Sequence, residues 1–514
     1  MNTRKQKLTA WLIASALTGA LSGCNAMNSQ TDSTPTVKQD FNGTVIMLSD
    51  DGIFVNGETA TDDSNADVTI SNDIIYYEEG HDDSYGEGSE AEAHSADEAL
   101  KHTVVKINKA GNYLLSGTLS AGQILIDLGE EASEDPQAVV NLTLDNVNLT
   151  SSVSSAIVVL NAYECSADSM DNPSKDVDTS NAGFNLILAD HSVNVIHGSH
   201  VAKIYKEGTT KKKYKFDGAI ESKVSMNING GEVGNGQLTL NADNEGIESC
   251  MHLTINGGIL TIHSADDALN ANEDGVSVIT INGGTILCDA GNGVEGDGID
   301  SNGWIVINGG TTISSANPNS MDSGVDSDLG IYINGGTLLA TGNMVDEISS
   351  ESSQQFMVMN FSEKQNEQDI IVLRNAEEQA ITAFFAVNDY TALIYSSDLL
   401  VAGEYSLAKA SAVTGELNGS IYTSIKETQD LIPLEYSSTG RGMGRGMKPE
   451  VFEGMPKDDG RFDKPDMQER PERFEKGEKP EHTPDFEEQT TNDERLTTIV
   501  LDGNPMFLYS ISAQ

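Results

Sequence analysis

Ile228-Asn229-Gly230-Gly231 returns as Ile255-Asn256-Gly257-Gly258, Ile281-Asn282-Gly283-Gly284, Ile307-Asn308-Gly309-Gly310 and Ile333-Asn334-Gly335-Gly336, at spacings of 27, 26, 26 and 26 residues. A fixed period of that length marks a stacked repeat, because one such unit cannot bury its own apolar face. Two positions before each Ile stands another apolar residue (Met226, Leu253, Ile279, Ile305, Ile331), the period-two pattern of a short strand with one buried side. Paired glycines beside Thr, Ile and Val suit a strand corner that needs φ > 0 and would weaken a helix. The fold expected is therefore all-β, a right-handed parallel β-helix (β-solenoid) with coils of about 26 residues. In it Asn229, Asn256, Asn282, Asn308 and Asn334 stack as a corner ladder about 4.8 Å apart, and the Ile pairs form an internal column.

Working outward, a looser version of the same grammar occupies Val140 to Leu149 and Phe184 to Val195, and Val104 to Ile107 and Ile124 to Ile126 read as opening strands. The β-helix domain is thus placed at 101–437, with Phe356 to Tyr436 as closing coils and cap. Before it, 41–100 holds strand-like Val68-Thr69-Ile70 and Ile74-Ile75-Tyr76 and an acidic loop from Glu78 to Glu98. Residues 438–492 are rich in Gly, Met, Pro, Glu and Lys and read as a flexible insertion. Residues 493–514 contain Thr497 to Leu501 and Met506 to Tyr509, expected to return as a strand pair. Lys203 to Lys223 interrupts the coils and reads as a basic insertion dispensable for folding, with Lys211, Lys212, Lys213 and Lys215 an exposed charge run.

The first 23 residues have the form of a secretory signal: basic Arg4, Lys5 and Lys7, an apolar stretch from Ala10 to Ala20, then Leu21-Ser22-Gly23-Cys24. The last four resemble a bacterial lipobox, which implies lipidation of Cys24, a polar tether over 24–40 and an extracytoplasmic, membrane-anchored lipoprotein at the outer membrane or cell surface. Without residues 1–23 the chain carries 27 basic against 80 acidic residues, a net of −53, which excludes nucleic acid as a partner. Cys165, Cys250 and Cys288 show no metal-ligand spacing and read as small buried residues.

Between the glycine corners a second phrase recurs: Asp217-Gly218-Ala219-Ile220-Glu221, Glu245-Gly246-Ile247-Glu248, Asp267-Ala268-Leu269-Asn270, Asp297-Gly298-Ile299-Asp300 and Ser323-Gly324-Val325-Asp326. In each, an aliphatic residue that can point inward is flanked by oxygen-bearing side chains. Two unit charges ~5 Å apart repel by roughly 1 kcal/mol in water and several times more at lower dielectric. From Val224 through Glu363 there are 19 Asp or Glu and no Lys or Arg, so a bound metal is the economical source of positive charge. Hard oxygen donors outside the cytoplasm indicate Ca²⁺, with Asp243, Glu245, Glu248, Asp266, Asp267, Asp297, Asp300 and Asp326 as expected ligands. The competing reading is that these carboxylates are a solvated face.

The lipobox, the Ile-Asn-Gly-Gly coils, the Asp-Gly-Ile-Asp phrase, the opening Lys109-Ala110-Gly111-Asn112-Tyr113-Leu114-Leu115-Ser116-Gly117-Thr118-Leu119 and the Gly/Met/Arg-rich tail together resemble a bacterial family of carbohydrate-binding-domain lipoproteins. The resemblance implies a β-helix shaped like pectate lyases, Ca²⁺ between coils, and binding of an acidic polysaccharide such as polygalacturonate. A Ca²⁺-dependent polysaccharide lyase and a structural adhesin or matrix protein are the alternatives. A lyase needs a base beside its metal. The conventional bases inside the carboxylate ladder, His252 and His263, are expected to point outward because Leu253 and Ile262 take the inward positions. Trp304 reads as a cover over a neighbouring coil rather than a platform for sugars.

Overall fold

The computed structural model describes residues 41–81, 85–86, 92–436 and 499–501. The signal and tether over 1–40, with Cys24, the insertion 438–492 and most of 493–514 lie outside the described residues. The described protein is all-β, its helix confined to one α turn at Ala96–Ala99 and a 3₁₀ segment at Glu130–Glu134.

Each repeat supplies three short strands, such as Met226–Asn229, Gln237–Ala242 and Glu245–Ser249, followed by His252–Ile255, Ile259–His263 and Leu269–Ala271. Every strand pairs in parallel with its counterpart one repeat on: Met226 lies opposite Leu253, Leu253 opposite Ile279, Ile279 opposite Ile305 and Ile305 opposite Ile331. The first two strands of each repeat belong to a 19-stranded sheet and the third to a nine-stranded sheet. Together they wrap one continuous core as a nearly closed, barrel-like wall. The apolar residues of the repeated phrase, Met226, Ile228, Leu253, Ile255 and their successors through Ile333, are all fully buried in that core. Burial of each is worth about 1.5–3 kcal/mol, which is why the period is strict where the core is deepest.

The corner depends on both glycines, for different reasons. Gly231, Gly258, Gly284, Gly310 and Gly336 all have positive φ, between 77° and 105°. Gly309 has an ordinary φ, but a Cβ there would lie 2.5 Å from the Asn282 carbonyl oxygen, because the stacked corners touch through their backbones. Beside them the expected asparagine ladder is present. Each Nδ2 donates to the Oδ1 one repeat earlier, at 3.1 Å from Asn256 to Asn229, 2.9 Å from Asn282 to Asn256, 3.0 Å from Asn308 to Asn282 and 3.0 Å from Asn334 to Asn308.

The ends differ from the sequence expectation. Parallel stacking begins before residue 101, since Thr44–Leu48 pairs in parallel with Gly111–Leu119. Val68–Ser71 is a strand, antiparallel to Thr103–Ile107, but Ile74 to Tyr76 is not. Both edges of Thr103–Ile107 are already occupied, by Val68–Ser71 and by Gly122–Asp127, so the Ile74 segment packs by its side chains alone. After Thr337–Gly342 the parallel repeat strands stop. Tyr390–Ser396 runs antiparallel along that last strand, and a seven-stranded antiparallel sheet with its own apolar core follows, including Ile499–Leu501 against Gly403–Ala410. An antiparallel lid covers the open strand edge that further coils would only have moved along.

The basic insertion is smaller than its composition suggests. Val201–Tyr205 and Lys212–Phe216 form an antiparallel hairpin, but Gly218–Ser222 is a strand of the nine-stranded sheet and Lys223 follows it directly.

Candidate metal centre

The recurring acidic phrase builds the nine-stranded wall. Ile220, Ile247, Leu269 and Ile299 register with one another and are fully buried in the core, as the inward aliphatic position requires. The next position forms an outward column: Glu221, Glu248, Asn270, Asp300 and Asp326, each opposite the next. Two residues before the aliphatic position stand Glu245, Asp267 and Asp297. There the Asp297 N–H donates to Asp267 Oδ1 at 2.7 Å, and the Ser323 N–H to Asp297 Oδ1 at 2.6 Å.

Outward does not mean solvated. Glu221, Glu245, Glu248, Asp267, Asp297 and Asp300 are all buried, whereas Asp217 and Asp326 are partly open to solvent. The column runs back into apolar Val158 and Leu125. The hairpin residues Val201, Ile204 and Phe216, with Tyr77, pack over Val158. The reading of these carboxylates as a solvated face is corrected accordingly.

Carboxylate oxygens converge at two levels. Asp297, Asp300 and Asp326 place one oxygen each within 4.8 Å of the others, and so do Asp217, Glu245 and Glu248. Oxygens on opposite sides of a Ca²⁺ ion, each about 2.3–2.6 Å from it, lie about 4.6–5.2 Å apart, so both triads have the size and the hard donors for that ion. Burial pushes Asp297 well above the usual carboxylate range, with further upward push from Asp267, Asp326, Asp300 and Asp322. Burial, then the charge of Asp326, raises Asp346 to about 6. Glu221 and Glu245 are likewise raised well above their ordinary values, by burial first and by Glu248 second. A desolvated carboxylate cluster of this kind takes up protons or a cation.

The structure does not gather all eight expected ligands. Asp243 is exposed and sits 3.4 Å from His197 Nε2. Asp266 belongs to the turn before the wall, where its carbonyl accepts from Ser264 Oγ at 2.7 Å, and it joins neither triad. Asp267 lies beside the upper triad through its bond to Asp297. Missing from the sequence reading are Asp217, whose phrase was visible, and two cations, Lys215 brought in by the hairpin and Lys223 at the end of the wall strand Gly218–Ser222. Lys215 Nζ lies 2.5 Å from Asp217 Oδ2, and Lys223 Nζ lies 2.6 Å from Glu221 Oε1. Burial disfavours charge on both lysines, but it is outweighed by the surrounding carboxylates at Lys215, and by Cys250 followed by Glu221 and Glu248 at Lys223, which hold both protonated well above the usual lysine range.

Neither histidine of the ladder is an exposed strand residue. His252, in a strand of the 19-stranded sheet, is fully buried: Nδ1 accepts the Val278 N–H at 3.1 Å, and Nε2 faces Asp168 Oδ2 at 3.6 Å. Burial lowers its pKa to about 4 against the opposing pull of Asp168. His263 Nδ1 lies 3.0 Å from Asp289 Oδ2. Trp304 is half-buried, in register between Val278 and Gly330. Cys165, Cys250 and Cys288 form no disulfide, and Cys250 and Cys288 are buried. Cys250 Sγ lies within 4.8 Å of Glu221 and Glu248 oxygens, a proximity its sequence spacing did not show.

Residues 101–360, just over half of the chain, match the family model of the carbohydrate-binding domain-containing proteins, and the chain belongs to that family. A carbohydrate-binding domain-containing protein of Acetivibrio thermocellus is 33% identical over 159 residues, covering 31% of this chain and 44% of the relative. The chain thus spans less than half the length of that curated relative. A solved structure described as a polysaccharide lyase-like protein from C. thermocellum, gadolinium derivative, aligns over 57% of this chain and 88% of its own, at 23% identity and a TM-score of 0.34.

Proposed function

We propose that this protein is a non-catalytic, cell-surface lipoprotein, anchored through Cys24, that binds an acidic polysaccharide of the polygalacturonate type through Ca²⁺ held on the carboxylate wall of a right-handed parallel β-helix. Support for the winding comes from the parallel pairing of each strand with its counterpart one repeat on, together with the right-handedness of parallel crossovers. The observation that carries the binding reading is the upper triad. Asp297 and Asp300 from one level and Asp326 from the next converge within 4.8 Å, and have no Lys or Arg between residues 224 and 363 to offset them. Asp326, the partly open member, is where an ion bound by the others would meet a uronate carboxylate. When bound, Ca²⁺ supplies the positive charge that joins two anionic partners. The chain's own residues position the triad, Asp267 through its bond to the Asp297 N–H and Asp346 by accepting the Ser327 N–H at 3.0 Å.

Binding is favoured over elimination by the state of the bases. His252 is sealed, His263 is tied through Nδ1 to Asp289 at 3.0 Å, and Lys215 and Lys223 are held charged by adjacent carboxylates, whereas a general base must be free, neutral and within reach of its substrate. The test is incubation with polygalacturonate with and without Ca²⁺, following co-sedimentation and the absorbance of unsaturated product. Ca²⁺-dependent co-sedimentation without product is expected. Accumulating product would replace this reading with a lyase, and no retention would leave a structural role.

A further inference from the structure

We infer that His94, His197, His200 and Asp243 form a site for an imidazole-seeking divalent metal of the Zn²⁺ class, which clasps the segment preceding the repeats to the end of two repeat strands. The site lies outside the carboxylate wall and is independent of the Ca²⁺ reading. Three of the chain's nine histidines gather around one carboxylate here. His197 stands near the end of Val193–Gly198, and Asp243 directly follows Gln237–Ala242, the strand paired with it. The Asp243 N–H donates to the Gly198 carbonyl at 3.1 Å, and His197 Nε2 lies 3.4 Å from Asp243 Oδ1. Bonds of about 2.0–2.2 Å to a tetrahedral Zn²⁺ put neighbouring ligand atoms about 3.3–3.6 Å apart, so this pair already spans one edge of such a site. His200, two residues beyond the strand, and His94 lie within electrostatic reach of Asp243 and of each other. His94 is delivered from much earlier in the chain and is fixed by its backbone: its N–H donates to the Tyr77 carbonyl, and its own carbonyl accepts the Glu79 N–H, each at 2.8 Å.

His200 supplies the observation that points to a ligand. Its Nε2 faces Glu92 Oε1 at 3.7 Å, while its Nδ1 is buried with no hydrogen-bond partner. A neutral imidazole has one N–H and one lone pair, and with the N–H turned to the carboxylate the lone pair is on Nδ1. A carboxylate behind one ring nitrogen is the arrangement that orients a histidine whose other nitrogen binds metal. The charge states suit that role as well. Burial lowers the pKa of His94 and keeps it in the neutral form that ligates, whereas the hydrogen bond from His197 holds Asp243 ionised. Imidazole nitrogen selects Zn²⁺ and its neighbours over Ca²⁺, which takes oxygen. The four groups are gathered without converging on one point as the wall triads do, so the metal closes the cluster by side-chain rotation about backbones already tied. The side chains of His197 and Asp243, 41% and 51% exposed, give it an entry path.

The test is Zn²⁺ titration of the untagged full-length chain by calorimetry, in millimolar Ca²⁺ so that the carboxylate wall does not compete. Visible absorption of the Co²⁺-loaded protein gives a second readout, of tetrahedral coordination. Wild type is expected to bind one Zn²⁺. His197→Gln and His94→Gln should each weaken it at least about tenfold, and Glu92→Gln, which removes only the partner of His200, about tenfold or more. Polygalacturonate retention in Ca²⁺ should be the same in all three variants, so failure of this site and failure of the polysaccharide reading are separately visible. His94 lies outside the paired repeat strands, so its variant decides the matter if His197→Gln fails to fold. Absence of stoichiometric Zn²⁺ binding, unchanged affinity in His94→Gln, or loss of Zn²⁺ with Asp297→Asn/Asp300→Asn instead, overturns the inference.

Discussion

The pH dependence of stability is a direct consequence of the carboxylate wall, and its sign runs opposite to ordinary acid denaturation. Asp346 is raised from an ordinary 3.8 to about 6, by burial and by Asp326. A carboxyl group whose folded pKa exceeds its unfolded one contributes its full stabilisation below the unfolded value and loses it as pH rises through the folded value. For Asp346 the whole change is about 3 kcal/mol, of which about 1.4 kcal/mol falls between pH 5 and pH 7.5. Asp297, Glu221 and Glu245 are raised in the same direction and add to it, while His252, lowered to about 4 by burial, works against it by about 2 kcal/mol over the same interval, so the four carboxylates together rather than Asp346 alone set the sign. In chelator, therefore, the unfolding temperature should fall between pH 5 and pH 7.5. At about 2–4 °C per kcal/mol for domains of 150–250 residues, and less for a larger body, the drop attributed to Asp346 alone is a few degrees. On the proposed Ca²⁺ reading, millimolar Ca²⁺ should bind the ionised folded form and remove most of that drop while changing little at pH 5, where protons compete for the same oxygens. Scanning calorimetry at both pH values, with EDTA and with Ca²⁺, measures all four arms. A chelated protein more stable at pH 7.5 than at pH 5, or a Ca²⁺ effect equal at both, would refute the reasoning.

Three further outcomes follow from named contacts. Asn282→Ala removes two rungs of the corner ladder and should cost about 1–3 kcal/mol in urea unfolding, toward the lower end because the corner is exposed. Ile305→Ala opens a cavity in the fully buried column and should cost about 2–5 kcal/mol, read in the same assay. Replacing Lys211, Lys212 and Lys213 by Ser should leave the circular dichroism spectrum unchanged, because the hairpin they belong to lies outside the stacked walls, whereas Lys223→Ala strips a buried carboxylate of its cation and should destabilise by about 3–5 kcal/mol.

The corner was legible because its causes are local. A glycine pair, an asparagine and alternating isoleucines recur at a fixed spacing, and stacking follows from the period. The acidic phrase was legible for the same reason, including the inward place of Ile247 and Ile299. What covers the walls was not. His252 lies beneath a segment some 70 to 90 residues earlier in the chain, pinned where Glu164 accepts from Ser225 N–H and Oγ at 2.7 Å each and where Thr179 Oγ1 meets Thr254 Oγ1 at 2.8 Å. Lys215 reaches the carboxylates only because the hairpin beginning at Val201 turns back, and no spacing within Lys211 to Lys215 separates that lysine from its neighbours. Asp243 shows the converse failure, since it stands two residues before Glu245 yet faces His197 at the turn.

Retention on immobilised polygalacturonate as Ca²⁺ is titrated, compared between wild type and Asp297→Asn/Asp300→Asn, tests the central claim most directly. Asn keeps the size and much of the hydrogen bonding of Asp while removing two charges, so circular dichroism should stay the same while Ca²⁺ affinity and polymer retention fall together. A double variant that binds Ca²⁺ and polymer as tightly as wild type would contradict the account and place the polysaccharide elsewhere on the molecule.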